Sequence, residues 1–175
     1  MFVDVSILSK DSIKIKGKNS SFVIDPNAQI QKISADAVIL LKSADEKSQA
    51  QRVTDYRVVV GGEGEYEVAG TRILGVRSDG NFLYSLNIDN MSVLLARTCG
   101  LSKTQETGDY NILILNVDCD FKDTMVTGFS PSIIMLFGER AQEALKMLGE
   151  KASKSQKFSV SADKLPTEMQ VVLLE

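Results

Sequence analysis

The sequence contains no histidine among its 175 residues. Histidine is the commonest general base and the commonest metal ligand in proteins. Its absence excludes Ser-His-Asp and Cys-His catalytic groups within this chain, and also any zinc site that relies on imidazole. The most familiar hydrolytic centres therefore cannot be built from this chain alone.

Cysteine is also scarce, with Cys99 and Cys119 as the two thiols. Two thiols in an intracellular chain are usually free and buried rather than joined in a disulfide. They are too few for a zinc site with three or four cysteine ligands. A cysteine nucleophile usually needs a base such as histidine, so we do not expect a catalytic thiol.

Long apolar runs are missing as well. No run approaches the roughly 20 residues that a membrane-spanning helix requires, and the N-terminal segment "MFVDVSILSKDS" is too short and too polar for a signal peptide. We therefore expect a cytoplasmic protein with no membrane partner. The net charge of −3 gives no bulk reason to bind nucleic acid, so none is expected, although it does not exclude a local basic patch.

Short strand-like segments dominate what is present. "SIKIKGKNSSFVID" predicts a hairpin, as do "EYEV" with "TRILGV" and "FLYSLNI" with "SVLLAR". "YNILILNV" and "PSIIMLF" are apolar enough for buried strands, and "KFSVSA" and "MQVVLLE" predict two closing strands. A helix is predicted in "GERAQEALKMLGEKA", with weaker helical pieces at 43–52, 101–107 and 121–127. The pattern indicates one strand-rich domain over residues 1–175.

The segment "GGEGEYEVAGTRILGV" resembles the Gly-Pro-Gly-Glu-Tyr-Glu-Val-x-Gly segment of the ascorbate-phosphate-lactonase-like branch of the metallo-β-lactamase fold superfamily. Glu63 stands where that segment has proline. Four further segments resemble the same family in the same order: "VSILSKDSIKIKGKNSSFVIDP", "SADAVILL", "YNILILNV" and "SPSIIMLFGERAQEAL". The terminal "LPTEMQVVLLE" resembles its last strand. The resemblance implies an α+β fold, an αββα four-layer sandwich of two mixed sheets, here with reduced helices.

The same resemblance implies that the metal ligands have been lost. After the strand that "ADAVILL" resembles, the family carries His-x-His-x-Asp-His, which holds two metal ions. Among the positions that match the family's ligands, only Glu46 keeps a carboxylate, and lysines would repel a dication. We therefore expect no metal and no other cofactor. The former ligand positions are Lys10, Lys42, Ala44, Glu46, Lys47, Cys99 (or its neighbour Thr98) and Gly138.

Three functions are compatible with this pattern. The leading hypothesis is a non-catalytic protein that binds or assembles, as a homo-oligomer or with a protein partner. The second is a lactone or phosphoester hydrolase that works without the zinc site, using Glu46 with Lys42 or Lys47. The third is an anion- or RNA-binding module in which fixed cations replace the metal ions. The candidate anion-binding residues are Lys10, Lys42, Lys47 and Arg97.

Other polar and apolar segments have simpler interpretations. "DCDFKD", which contains Asp118, lacks the glycine and distal glutamate of a calcium loop and predicts a polar loop at a strand end. Glu63, Glu65 and Glu67 alternate, which predicts one face of a strand. "FLYSLNI", "SVLLA" and "MQVVLLE" are apolar enough to offer sheet edges to a partner.

Overall fold

The structure is a computed structural model, and it describes residues 1–43, 49–149 and 152–175. Its strands, in chain order, are β1 (Val3–Ser9), β2 (Ser12–Lys16), β3 (Ser21–Ile24), β4 (Ile33–Ser34), β5 (Ala37–Ile39), β6 (Val53–Thr54), β7 (Val58–Val60), β8 (Gly64–Val68), β9 (Thr71–Ser78), β10 (Asn81–Ile88), β11 (Met91–Arg97), β12 (Ile112–Asn116), β13 (Ile133–Phe137), β14 (Ala152–Ser155), β15 (Lys157–Val160) and β16 (Gln170–Leu174).

Within the described ranges the strands form two large mixed sheets and one small one. The first large sheet has the order β15-β1-β2-β3-β5-β7, in which β3, β5 and β7 are parallel. The second has the order β14-β16-β13-β12-β11-β10-β9-β8. Its strands β11, β12, β13 and β16 run parallel, whereas β8 to β11 form an antiparallel meander. Strands β4 and β6 pair separately.

Helices are few and short in the part of the chain that the structure describes. The helix Ala141–Leu148 follows β13, and a single turn, Thr98–Leu101, follows β11. Turns of 3₁₀ helix make up the rest, at Ala50–Arg52, Asp123–Met125, Thr127–Phe129 and Ala162–Lys164.

Three apolar cores stack in layers around the two sheets. The largest lies between them and contains Ile13 and Phe22 of the first sheet together with Met135 of the second. On the other face of the second sheet, β12 and β13 pack against the helix Ala141–Leu148. On the outer face of the first sheet, β3 and β5 pack against the segment that contains Ala50 and β6. The first four residues of β12, "ILIL", are all apolar because side chains of a strand point alternately to opposite faces, and this strand supplies both the core between the sheets and the core beside the helix. The fifth residue, Asn116, is polar but also buried.

This architecture confirms the predicted α+β sandwich of two mixed sheets with reduced helices. The three predicted hairpins form, as β2–β3, β8–β9 and β10–β11. The two closing strands also form, but they separate: β15 joins the first sheet beside β1, and β16 lies inside the second.

Several sequence predictions about sheet edges, helices and strands were wrong. The apolar strands β10, β11 and β16 have a neighbour on both sides, so none of them is a sheet edge. The helical turn Thr98–Leu101 ends where a helix over 101–107 was expected to begin. The helix expected at 43–52 lies largely outside the described residues; in the described part, Gln49 is helical and Ala50–Arg52 form a 3₁₀ turn. The helix expected at 121–127 is represented by 3₁₀ turns. Strand β14 was not predicted, because "ASKS" is too polar to resemble a strand. No described helix has the length and hydropathy needed to cross a membrane.

Candidate functional site

The carboxyl ends of parallel strands from both sheets meet around one cavity of about 590 Å³, here called the strand-end cavity. Ligands commonly bind at this end of parallel strands because loops collect there. The residues after β3, β5, β11, β12 and β13 contribute to its wall. Its charged lining residues, within the described ranges, are Asp11, Asp25, Asp118 and Glu139 on the acidic side and Lys42, Arg97 and Arg140 on the basic side.

Arg97, the last residue of β11, forms a buried ion pair with Asp25, which follows β3. The Arg97 guanidinium Nη2 lies 2.8 Å from Asp25 Oδ2, and the side chains are 21% and 10% exposed. The second oxygen of Asp25 accepts the backbone N–H of Leu41 at 2.9 Å. The hydroxyl of Ser12 donates to the Asp25 carbonyl, which helps to hold this residue at a φ of +44°. The pair joins the two sheets at the base of the cavity.

Burial and pairing act in opposite directions on both groups. Burial raises the pKa of Asp25, while the guanidinium of Arg97 and the N–H of Leu41 oppose that rise. Burial acts to lower the pKa of Arg97, but the carboxylates of Asp25, Asp118 and Asp11 together outweigh it, and the pKa of Arg97 is raised. Arg97 therefore remains a fixed cation at every ordinary pH.

Asp118, two residues after β12, lies on the far side of Arg97. Its Oδ2 is 3.7 Å from Arg97 Nη1. Its Oδ1 accepts the Thr98 hydroxyl at 3.1 Å and the Cys99 N–H at 3.0 Å. In return, Thr98 Oγ1 accepts the backbone N–H groups of Asp118 at 3.1 Å and of Cys119 at 3.4 Å. These reciprocal bonds tie the ends of β11 and β12 together.

The two cysteines lie close together at these joined ends of β11 and β12. The two sulfur atoms and a carboxylate oxygen of Asp118 all lie within 4.8 Å of one another. Cys99, Asp118 and Cys119 are called the thiol cluster below. Both thiols are free, as predicted, but they are half-buried rather than buried. Burial, the hydrogen bond with Cys119 and the Asp118 carboxylate raise the pKa of the Cys99 thiol to about 12, which makes it a poor nucleophile near neutral pH.

The structure leaves no room for a side chain at Gly138, the position that the sequence resemblance matches to the family's last histidine. Its φ is +99°, a conformation that favours glycine. A Cβ atom would collide with Oδ1 of Asn116 and would lie 3.1 Å from the backbone nitrogen of Val117. Asn116 is fully buried, so it has little freedom to move away.

The structure brings together only some of the residues that the sequence singled out. Lys42 lines the strand-end cavity, and its backbone pairs with Asn81 of β10. Lys10 lines a neighbouring cavity instead, and its Nζ lies 3.0 Å from Glu139 Oε1. The candidate positions Ala44, Glu46 and Lys47 lie outside the described residues.

The candidate anion-binding residues are less available than their sequence positions indicated. Arg97 faces Asp25 and Asp118, and Lys10 is paired with Glu139. Four acidic residues against three basic ones line the strand-end cavity within the described ranges, so its fixed charge does not favour an anion.

Sequence reasoning did not identify Asp25 and Asp118 as partners of Arg97. Asp25 is the last residue of "SIKIKGKNSSFVID", which predicts a hairpin, and Asp118 belongs to the predicted polar loop "DCDFKD". A signal was present: three charged residues follow directly on apolar strands that are predicted to be buried. Only the pairing of strands in the two sheets shows that these strand ends meet.

No protein-family model matches the chain, and no curated protein matches it either. Solved structures do. A protein from Thermotoga maritima, described as a Zn-dependent hydrolase of the metallo-β-lactamase superfamily, is 17% identical with a TM-score of 0.75, over 98% of this chain and 97% of that one. A protein from Parabacteroides distasonis, described as a metal-dependent hydrolase, is 14% identical with a TM-score of 0.65, over 99% and 93% of the two chains. Igni18, a metallo hydrolase from Ignicoccus hospitalis, is 9% identical with a TM-score of 0.56, over 92% and 99%.

The chain has the metallo-β-lactamase fold. The likeness extends over nearly the whole length of this chain and of the structures it resembles. At identities of 17% and below it establishes the fold and not the activity.

Proposed function

We propose that this protein is a non-catalytic member of the metallo-β-lactamase superfamily, which acts by binding or assembly and not by metal-dependent hydrolysis. The observation that carries the proposal is the Arg97–Asp25 ion pair at the base of the strand-end cavity. In the related hydrolases the resemblance places metal ions at this end of the strands. Here a guanidinium group supplies the positive charge.

Electrostatics oppose a hydrolytic metal centre beside Arg97. A dication about 4 Å from the guanidinium charge would be repelled by it by roughly 8 kcal/mol at an effective dielectric constant of about 20, before the opposing attraction of the Asp25 and Asp118 carboxylates is counted. Both carboxylate oxygens of Asp25 already accept hydrogen bonds, so a metal ion would have to compete with Arg97 and the Leu41 N–H for this carboxylate. The geometry at Gly138 adds a steric obstacle to a ligand at that position.

The names of the similar structures support a different function, since they are described as hydrolases. A hydrolase that works without metal would need a base and an oxyanion-stabilising group, for which Glu46 and Lys42 or Lys47 are the candidates. Of these three, Lys42 is placed by the structure on the wall of the strand-end cavity. No contact of the described residues favours this alternative over the first.

Turnover assays separate the two functions. The full chain should show no turnover of lactones or phosphoesters, with or without added Zn²⁺, Mn²⁺ or Fe²⁺. Turnover that chelation abolishes and metal restores would contradict the proposal. Turnover that survives chelation and is lost in Glu46→Gln would instead establish the metal-free hydrolase.

The proposed partner is a second copy of this chain or another protein. Sedimentation velocity over a range of protein concentrations measures the first case directly. A concentration-dependent dimer supports self-assembly, whereas a monomer at all concentrations leaves a different protein as the partner.

A further inference from the structure

The thiol cluster adjoins the Arg97–Asp25 ion pair, shares Asp118 with the surroundings of Arg97, and includes Cys99, one of the former ligand positions. We infer that Cys99, Cys119 and Asp118 form a binding site for one thiophilic divalent cation of the zinc class. This site uses no histidine and does not depend on the proposed function.

The spacing of the three groups is close to what such an ion requires. Zn²⁺ binds sulfur at about 2.3 Å and carboxylate oxygen at about 2.1 Å, so tetrahedral ligand atoms lie roughly 3.5–3.8 Å apart. The sulfur and oxygen atoms of the cluster are already within 4.8 Å of one another. Side-chain rotations that shorten these distances by about 1 Å would complete the three-ligand geometry.

The fold positions the ligands before any ion arrives. Strands β11 and β12 are parallel neighbours, with Arg97 paired to Asn116, so the residues that follow them meet at one sheet end. The Thr98 hydroxyl and the Cys99 N–H hold Asp118, and Thr98 also accepts the N–H of Cys119. Outer hydrogen bonds of this kind orient metal ligands and strengthen binding.

The chemistry of the donor set selects a soft cation. Thiolates prefer zinc, cadmium and copper(I) to magnesium or calcium. Two thiolates and one carboxylate carry three negative charges, more than enough to neutralise a dication. Arg97 contacts the other oxygen of Asp118, Oδ2, at 3.7 Å, so it balances the surplus negative charge and leaves Oδ1 on the side of the thiols.

The site is accessible from solvent. Cys119 lines a second cavity of about 810 Å³, whose wall also includes Lys122 and Arg140. All three cluster residues are half-buried. Three protein ligands with access to a cavity leave the fourth coordination position for water or a small anionic ligand.

Cadmium is a suitable probe because its bonds to thiolate sulfur give a charge-transfer absorption in the ultraviolet. The reduced full-length protein, freed of metal with a chelator, is titrated with CdCl₂. We expect absorption that saturates at one Cd²⁺ per chain, that Zn²⁺ reverses by competition, and that is accompanied by a higher melting temperature. No saturable absorption, or an unchanged melting temperature, would overturn the inference.

Variants locate the ion. Cys99→Ser and Cys119→Ser should each weaken Cd²⁺ binding at least about tenfold and lose part of the absorption, and the double variant should lose all of it. Asp118→Asn should weaken binding about 10- to 100-fold. Asp120→Asn is the matched control: this exposed carboxylate two residues away pairs with Arg140, and its loss should leave binding unchanged.

A measurement on the unmodified protein tests the inference even if the variants fail to fold. One equivalent of Cd²⁺ should slow alkylation of both thiols by N-ethylmaleimide, as read by mass spectrometry of peptides. If mild peroxide forms a Cys99–Cys119 disulfide and cadmium does not protect the reduced thiols, the two cysteines are a redox pair and the metal-site inference is overturned. If the double serine variant still binds cadmium, the ion lies elsewhere and this inference is overturned. Metal-dependent turnover of a substrate would contradict only the proposed function.

Discussion

Arg97 places one guanidinium group between two carboxylates that come from different strands. It lies 2.8 Å from Asp25 and 3.7 Å from Asp118. A buried ion pair contributes little net stability relative to a well-packed apolar pair, because desolvation offsets its attraction. Removing one partner is costly, because the remaining charge stays buried without compensation.

Arg97→Met should therefore lower the free energy of unfolding by about 3 kcal/mol, measured by urea denaturation. Arg140→Met is the matched control, since its partners Asp120 and Glu143 are exposed, and it should have a much smaller effect. The double variant Asp25→Asn/Arg97→Met should be more stable than Arg97→Met alone. Equal unfolding free energies for Arg97→Met and the unmodified protein would show that the pair is not structurally important.

At Gly138, both the backbone conformation and the surrounding atoms exclude a side chain. Gly80 has a similar positive φ, +74°, but a Cβ atom there would meet nothing within 4 Å. Comparing substitutions at the two glycines therefore distinguishes the cost of backbone strain from the cost of steric conflict.

Gly138→Ala should destabilise the protein by at least about 1 kcal/mol more than Gly80→Ala, because overpacking against Asn116 adds to the strain of a positive φ. Thermal or urea unfolding of the two variants measures the difference. Equal losses would mean that the end of β13 relaxes easily and that a side chain such as histidine could be accommodated at this position.

At the scale of elements, strand β10 connects the two sheets at the edge of the strand-end cavity. The Tyr84 hydroxyl donates to the carbonyl oxygen of Leu40 at 3.0 Å and lies 3.3 Å from that of Val60. The backbone N–H of Phe82 bonds to the carbonyl of Leu41 at 2.8 Å. These contacts fix the end of β5, and hence Lys42, against the second sheet.

Tyr84→Phe should cost about 1–2 kcal/mol of unfolding free energy, because buried carbonyl groups lose a donor. Tyr66→Phe is a suitable control: its hydroxyl donates to Gly62 at 3.1 Å from a partly exposed position, and its loss should cost less. Amide hydrogen exchange would locate the effect, which we expect at Leu40 and Leu41. Uniform exchange changes across the sheet would argue against a local role.

At the scale of the whole molecule, charge gives little reason for anion or RNA binding. The net charge is −3. Lys10 and Arg97 are held by acidic partners. Polyanion binding depends on unpaired cations that release counterions, and the strand-end cavity does not concentrate them within the described ranges.

Fluorescence anisotropy with a labelled single-stranded RNA at about 0.15 M salt should accordingly show no binding tighter than about 10 µM. Lys42→Glu should leave this result unchanged. Tighter, salt-sensitive binding that Lys42→Glu abolishes would instead establish the cationic former metal pocket as a functional site.

The sequence by itself determined most of the strands and the absence of histidine chemistry. Alternating and fully apolar strands predict their own burial, because the period of two dictates which faces meet a core. Thus "SIKIKGKNSSFVID" and "YNILILNV" each gave the correct element. Missing side chains likewise need no fold to be recognised: a chain without histidine cannot place one in a site.

Only the tertiary structure decided which side chains come together where histidine ligands would otherwise be expected. Asp25, Arg97 and Asp118 are separated by up to 93 positions in the sequence, and no local pattern pairs them. They meet because β3, β11 and β12 end at the same side of two packed sheets. The same holds for Cys99 and Cys119, whose proximity depends on the parallel pairing of β11 with β12. Contacts between strand ends follow from which strands pair and in what order, which the periodicity of a single sequence does not encode.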